Sequence, residues 1–421
     1  MATIDPKPLE DHLKRISSRF ISINKDVKTA FRQHYNNISD YMIQSMKERD
    51  NVFKELFQEV KLAGSYADEI KVTAPNEFDT LIILKFPKPN PVSSVPGFVT
   101  INISDGINKW RTWVDGNEGK YRRLVDTDGF VIQDGVLDWL RVLVRDILGE
   151  QESILRVNGA EYYISQTNHG PAITLDVNVR SSTHGGIGDF SIDLVPALQF
   201  QVHSKWVADK QAKSIVKDCR FWNTIPKPNK LRLHKNRDWI CSYAEIERDL
   251  LNGRNRLKPL IRIFKKIRDK VKLENLKSYY IKTILLHQRL QKPDDYWNGT
   301  LSVLFLEMFD VILKHFQTKT LWSLWHNNYN LLSQLRENQI DAIYLNLKSI
   351  KDTMVKNLVN EKPDLIYKQI LTSDEFTAMD ESERKEAVPK VEEERAAEEQ
   401  TTQQTISGFI HRLMKLFIVP K

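Results

Sequence analysis

The stretch that most constrains the fold is NEFDTLIIL, residues 76–84, where Glu77 and Asp79 stand two apart at the head of an apolar run. A short apolar run bounded by polar residues reads as a buried strand, and residues i and i+2 of a strand point to the same face. The two carboxylates therefore stand side by side and repel each other. A divalent cation between them resolves the conflict, because Mg²⁺, or Mn²⁺ in its place, takes carboxylate oxygens and keeps sites free for phosphates. Such an ion asks for a third acid. Two later strand candidates supply one, Asp176 in AITLDVNV and Asp193 in DFSIDLVPALQF, where an unpaired buried charge would be costly. Upstream, the turn Gly64-Ser65 offers backbone amides and a hydroxyl that can hold a phosphate. Together these parts describe two-metal phosphoryl transfer, with one ion activating a hydroxyl and the other bridging a triphosphate. Each part is common alone, since an acid-x-acid pair usually lies on a solvated edge and Gly-Ser is an ordinary turn. Order and spacing carry the reading.

The rest of the chain suits a globular protein of two or three domains: 421 residues with 41% apolar content are ample for a sizeable core. Two cysteines, Cys219 and Cys241, exclude a disulfide framework and a cysteine-rich zinc site, and they suggest a reducing compartment. The N-terminal residues lack a signal-peptide core and no run reaches the roughly 18 apolar residues of a membrane span, so a cytoplasmic protein without stable membrane insertion is expected. The net charge of +7 fits a polyanionic partner without requiring one.

Val27, Phe31, Tyr35, Ile38, Met42 and Met46 recur at helical spacing and predict one long amphipathic helix. Strands are expected at the stretch ending in Val60 and Leu62, at DTLIILKF, and at the two acid-bearing segments, with short β patterns at FVTINIS and WRTWV. GVLDWLRVLVRDIL reads as helix. From about residue 205 the pattern turns helical, through KQAKSIVKDC, SYAEIERDLL, LKPLIRIFKKIRDKV, SYYIKTILLHQRL, GTLSVLFLEMFDVILKHF and LWSLWHNNYNLLSQL. The fold class is therefore α+β, with a mixed-sheet catalytic lobe over residues 1–205 carrying the long helix and an all-helical lobe over 206–370. Residues 371–421 read as an acidic, disordered linker followed by an amphipathic helix through Ile406, Phe409, Ile410, Leu413, Leu416 and Phe417.

A Gly-Ser turn followed by acid-x-acid and a distant third acid is the pattern of the nucleotidyltransferase superfamily. The run GSYADEIKVTAPNEFDTLIIL resembles more closely the corresponding stretch of cyclic GMP-AMP synthase and the animal cGAS-like receptors, including the core APNEFD. HGPAITLDVNV with FSIDLVPAL, RFWNTIPKP, WICSYAEIERDLL and KSYYIKTILLH extend the resemblance in order, over about residues 20 to 360. It implies a bilobal fold with a spine helix, and it favours Asp193 over Asp176 as the third ligand beside Glu77 and Asp79. It also implies that Gly64 and Ser65 grip the triphosphate of ATP or GTP, and that Tyr279 stacks on a base. Ser278 and Lys282 would then flank phosphate or sugar, and Glu247 would read a purine. Ile240 and Ala244 depart from the synthase's arginine and serine, which leaves the choice of bases open.

The synthase's His-Cys-Cys-Cys zinc thumb has no counterpart in LNGRNRLKPLIRIFKK, so no zinc is expected and the chain is similar to the invertebrate receptors lacking it. That resemblance points to double-stranded RNA, with DNA less favoured, because A-form duplexes are recognised by shape and backbone. Three basic sets could form the footprint: Lys205, Lys210, Lys213, Lys217 and Arg220; Arg254, Arg256, Lys258, Arg262, Lys265, Lys266 and Arg268; and Lys14, Arg15, Arg19, Lys25 and Lys28. The expected function is RNA-activated synthesis of a cyclic GMP-AMP-type second messenger from ATP and GTP, read by a downstream cyclic dinucleotide receptor in innate immune signalling. The alternatives are a catalytically silent binding protein of the male-abnormal type and a template-free polymerase of the oligoadenylate synthetase type.

Overall fold

A computed structural model describes residues 7–149, 153–182, 188–201, 221–227, 236–326, 328–360 and 362–379. Its centre is the pair that the apolar run predicts: β2 (Glu77–Leu84) lies parallel to β8 (Phe190–Gln201), in a register that sets Asp79 directly opposite Asp193. On one face of β2, Phe78, Thr80, Ile82 and Leu84 are buried against the helices. The other face carries Glu77 and Asp79 at its mouth. This alternation is what a strand with one acid-bearing face and one core face requires.

Around that pair a ten-stranded mixed sheet runs in the order β3-β4-β10-β9-β8-β7-β6-β5, with β2 added beside β8 and β1 (Phe57–Leu62) antiparallel to β2. β3 (Asn90–Val95) and β4 (Phe98–Asn102) form one edge; β5 (Ser153–Val157), β6 (Ala160–His169) and β7 (Ala172–Ser182) form the other. The β5–β6 hairpin turns at Asn158-Gly159, both at positive φ, a pair suited to a tight hairpin turn. β9 (Phe221–Ile225) and β10 (Trp239–Ser242) join the sheet within the stretch expected to be helical from about residue 205. At five and four residues they are too short to show a period.

The long helix forms as its spacing predicts, over Lys25–Arg49, with Asn24 capping the amide of Asp26 at 2.7 Å. Phe31, Tyr35, Ile38, Met42 and Met46 are buried, whereas Val27 at the first turn is exposed. Tyr35 stacks on Phe78 at 4.7 Å between ring centroids, so this helix backs directly onto the acid-bearing strand. Its last residue hands over at Asp50, whose buried carboxylate accepts hydrogen bonds from the Phe53 amide (2.9 Å), the Trp139 indole (3.0 Å) and the Tyr121 hydroxyl (3.2 Å), and pairs with Lys120 at 2.9 Å. GVLDWLRVLVRDIL lies within the helix Gln133–Leu148 that supplies Trp139.

Among the described residues, the second lobe is built mainly on the helices Ala244–Leu251, Leu257–Lys270, Ser278–Gln291, Leu301–Gln317 and Glu337–Val359. The N-terminal helix Lys7–Ile16 crosses to this lobe, where Glu10 accepts the Ser302 amide at 2.7 Å. Beyond the strands β9 and β10, three further expectations are corrected. WRTWV is part of a helix, Ile107–Val114, with Trp110 and Val114 on its buried face; a spacing of four mimicked strand alternation. LWSLWHNNYNLLSQL is not an α-helix: the Asn330 side chain accepts from Leu321 and Leu332 amides and donates to the Lys319 carbonyl, which substitutes a local turn for helical pairing. The acidic stretch is ordered at its start, where a capping box between Thr372 and Glu375 opens the short helix Ser373–Thr377 and Met379 is buried. The terminal helix expected near residues 406–417 lies outside the described residues.

Burial opposes the charged form of Asp50, but the Lys120 ammonium and the hydrogen bonds from Phe53 and Trp139 outweigh it and hold the carboxyl below its ordinary value. Asp50→Ala should therefore lose about 3 kcal/mol in urea unfolding. The loss should be complete near neutral pH and shrink on acidification below the ordinary aspartate value of 3.8.

Candidate active site

Glu77, Asp79 and Asp193 present carboxylate oxygens within 4.8 Å of one another. The sheet puts them there: Asp79 and Asp193 are cross-strand partners, Glu77 is two residues along the same face, and Thr174 on β7 donates to Asp193 at 2.6 Å. Asp176 stands two pairs further along β7, opposite Ser191, exposed and bonded to Thr167 at 2.9 Å, and is not in the cluster. The Gly64-Ser65 turn closes over the same spot. A Cβ on Gly64 would fall 1.6 Å from an Asp79 carboxylate oxygen, and its φ of +63° is one that side chains disfavour, so only glycine admits this approach. The Ala63 amide also donates to the Asp79 carbonyl at 2.8 Å.

Burial, then the neighbouring Glu77 and Asp193 carboxylates, push the Asp79 carboxyl up to about 6. Three hard oxygen donors in mutual repulsion fit a divalent ion such as Mg²⁺ or Mn²⁺. Lys71 meets part of this negative charge by pairing with Glu77.

Beside the acids, the nucleotide residues expected from the sequence divide into an exposed and a buried set. Tyr279 exposes 40% of its surface while its hydroxyl donates to Glu247 at 2.9 Å, leaving a ring face open and its tip anchored. Ser278, at the start of the same helix, accepts from Arg268. Glu247 is buried and also accepts the Trp325 indole at 2.8 Å and pairs with Lys282 at 2.8 Å. Burial raises the Glu247 carboxyl, but Lys282 and these donors outweigh it and hold it below the ordinary value. Lys282 is itself buried, with its ammonium shared between Glu247 and Asp68 (2.5 Å). Its placement is inside the lobe junction rather than along an open phosphate path.

Of the expected duplex contacts, Arg254 pairs with Asp294 at 2.5 Å, Arg256 donates to the Gly299 carbonyl at 3.2 Å, and Lys258 pairs with Glu69 at 2.6 Å. Lys205, Lys210, Lys213, Lys217 and Arg220 lie outside the described residues. Sequence reasoning missed Asp68, Arg248 and Lys71. Asp68 sits in GSYAD just after the turn, which was the available signal, whereas nothing local marks Arg248 or Lys71 among many surface-like charges.

Because the folded protein holds the Asp79 proton more tightly than the unfolded chain, apo stability falls as pH rises from about 4 to about 6 and the penalty is fully present above that window. In metal-free thermal melts, the wild type should lose Tm relative to Asp79→Asn across this range. Mg²⁺ should restore it at pH 7.5 in the wild type only. Gly64→Ala should abolish that Mg²⁺ response by displacing Asp79.

Comparison with known proteins agrees with this geometry. Residues 66–253 match the family described as the Mab-21 protein nucleotidyltransferase domain, and residues 256–349 match the Mab-21 protein HhH/H2TH-like domain. The chain is 29% identical over 405 residues to a cyclic GMP-AMP synthase-like receptor of Ctenocephalides felis, covering 89% of this chain and 90% of that protein. It is 29% identical to a receptor of the same name from Tribolium castaneum over 387 residues, covering 88% and 93%. It is 27% identical to cyclic GMP-AMP synthase-like receptor 1 of Drosophila melanogaster over 365 residues, covering 83% and 93%. With both Mab-21 domains in order and these relatives aligned along most of its length, the chain belongs to the Mab-21 nucleotidyltransferase family, among the cGAS-like receptors.

Proposed function

We propose that this chain is a divalent-metal-dependent nucleotidyltransferase of the cytoplasm that joins ATP and GTP into a cyclic GMP-AMP-type dinucleotide when double-stranded RNA binds it. The observation that carries the reading is the convergence of Glu77, Asp79 and Asp193 under the Gly64-Ser65 turn, with the half-exposed Tyr279 linked to the residue after that turn, Asp68, through Glu247 and Lys282. Glu77, Asp79 and Asp193 are the residues that would hold the metal. Bound there, Mg²⁺ would acidify the attacking hydroxyl and neutralise charge on the leaving pyrophosphate.

The chain's own groups do the rest. The amides and hydroxyl of Gly64 and Ser65 grip the triphosphate. The open face of Tyr279 stacks on a base without choosing it, while its hydroxyl stays fixed on Glu247. Thr174, by donating to one Asp193 oxygen, orients the carboxylate and leaves the other oxygen for coordination. The 77–79 spacing and the 79/193 pairing place the acids on one strand-defined face, so an incoming hydroxyl and the α-phosphate meet in one orientation.

RNA as the activating ligand is supported by the basic sets and by the lack of cysteines after Cys241. Within the described residues, Arg254 and Lys258 pair with the exposed acids Asp294 and Glu69. In both pairs the acid is exposed but the cation is largely covered, so a duplex would have to displace the acid and draw the cation outward to use it. The cyclic product would then act on a separate cyclic dinucleotide receptor.

Purified protein given Mg²⁺ and labelled ATP, GTP, CTP and UTP, with or without long duplex RNA or DNA, should yield a phosphatase-resistant product that needs RNA, ATP and GTP. Asp193→Asn should lower its formation by about 100-fold or more. A linear ladder would indicate a template-free polymerase instead. Nucleotide binding without product under every ligand would indicate a silent binding protein, and a DNA-only response would overturn the RNA assignment.

A further inference from the structure

Two residues bracket the phosphate-gripping turn, and both are tied to the helical lobe by cations, the half-buried Arg248 and the buried Lys282. Before the turn, the Leu62 carbonyl accepts from Arg248 at 2.8 Å. After it, Asp68, 2% exposed, accepts Arg248 at 3.3 Å and Lys282 at 2.5 Å. The same Lys282 ammonium reaches Glu247 at 2.8 Å, and Glu247 holds the hydroxyl of Tyr279 at 2.9 Å. One unbroken chain of contacts therefore runs from the turn, through Asp68, Lys282 and Glu247, to the ring on which a base would stack. Lys282 and Tyr279 are also one helical turn apart on Ser278–Gln291, so the ammonium and the ring are fixed to the same rigid element.

We propose that Lys282 is a positioning residue, a clasp that fixes the distance between the triphosphate grip at Gly64-Ser65 and the base platform at Tyr279. This rests on the nucleotide reading of those two places given above. The clasp touches neither end of the nucleotide. Its effect is to make one rigid site of two subsites carried by different lobes, so that a molecule spanning both gains the advantage of a second contact made at high effective concentration. A buried lysine shared between two carboxylates suits this task, because a neutral side chain would leave Asp68 and Glu247 without their common partner and break the one contact that joins the turn to the Tyr279 anchor, even though Arg248 still holds Leu62.

This makes a distinction that a purely structural lysine would not. In the presence of Mg²⁺, an α,β-methylene analogue of ATP spans both subsites, whereas adenosine reaches only Tyr279 and tripolyphosphate only the turn. Lys282→Met should weaken the analogue by at least about tenfold, while leaving each fragment within about twofold of wild type. Asp68→Ala cuts the clasp at its other end while keeping the Lys282–Glu247 pair, so it gives the same test if Lys282→Met does not fold. Fragments weakened in step with the analogue would show that Lys282 only maintains the fold, and an unchanged analogue would show that no clasp acts; either result overturns the proposal. Failure of the wild type itself to bind the analogue would instead refute the nucleotide reading, and the clasp with it, before any substitution is made.

Discussion

The site depends on the crowding of three carboxylates, the partly buried Asp79 and Asp193 set opposite each other on a parallel strand pair with Glu77 beside them. A fold does not gain stability by placing three carboxylates within 4.8 Å and raising one of them to about 6. It tolerates the arrangement because the reverse face of β2 is locked into the core by Phe78 against Tyr35, Tyr66 and Phe190. The strand cannot rotate its acids away without pulling Phe78 from between those rings. The cost is thus concentrated at the site, and it is the kind of cost that a divalent cation removes on binding.

The second constraint is the junction of the lobes. Arg248, Lys265 and Lys282, from three successive helices, reach Leu62, Ile70 and Asp68 around the Gly64-Ser65 turn. Burial, with Arg268 and Lys71 near, draws the Lys265 ammonium down to about 8, so it sits at the turn as a donor already partly desolvated. The catalytic sheet supplies the acids, but the geometry of the turn that faces them is set by the helical lobe. Any ligand that shifts the lobes relative to each other therefore acts on the turn through these cations.

How much of this was legible in the sequence depended on whether the physics was local. The strand with its two same-face acids could be read because alternation and an apolar run decide it within nine residues, and the long helix because its stripe repeats over six positions. The choice between Asp176 and Asp193 was not settled by pattern, since both sit in apolar strands; it is the pairing of β8 with β2 that brings Asp193 alone into the cluster. Lys282 shows the limit most clearly. A lysine on an amphipathic helix looks the same whether solvated or buried, and its burial depends on Asp68, 214 positions away. The short strands β9 and β10 were hidden for the related reason that their partners lie on other segments, whereas the Asn330 turn is local but rests on the bonds of one side chain, which leave no mark on a periodicity.

The central claim, that Glu77, Asp79 and Asp193 form the metal centre of a nucleotidyltransferase, is tested most directly by crystals soaked with Mn²⁺ and a non-reactive ATP analogue and measured at the manganese absorption edge. The account predicts anomalous peaks at roughly metal–oxygen bonding distance, about 2.2 Å, from all three carboxylates, with the triphosphate reaching the Gly64-Ser65 turn. Manganese bound elsewhere, or nucleotide bound with no ion between these acids, would contradict it.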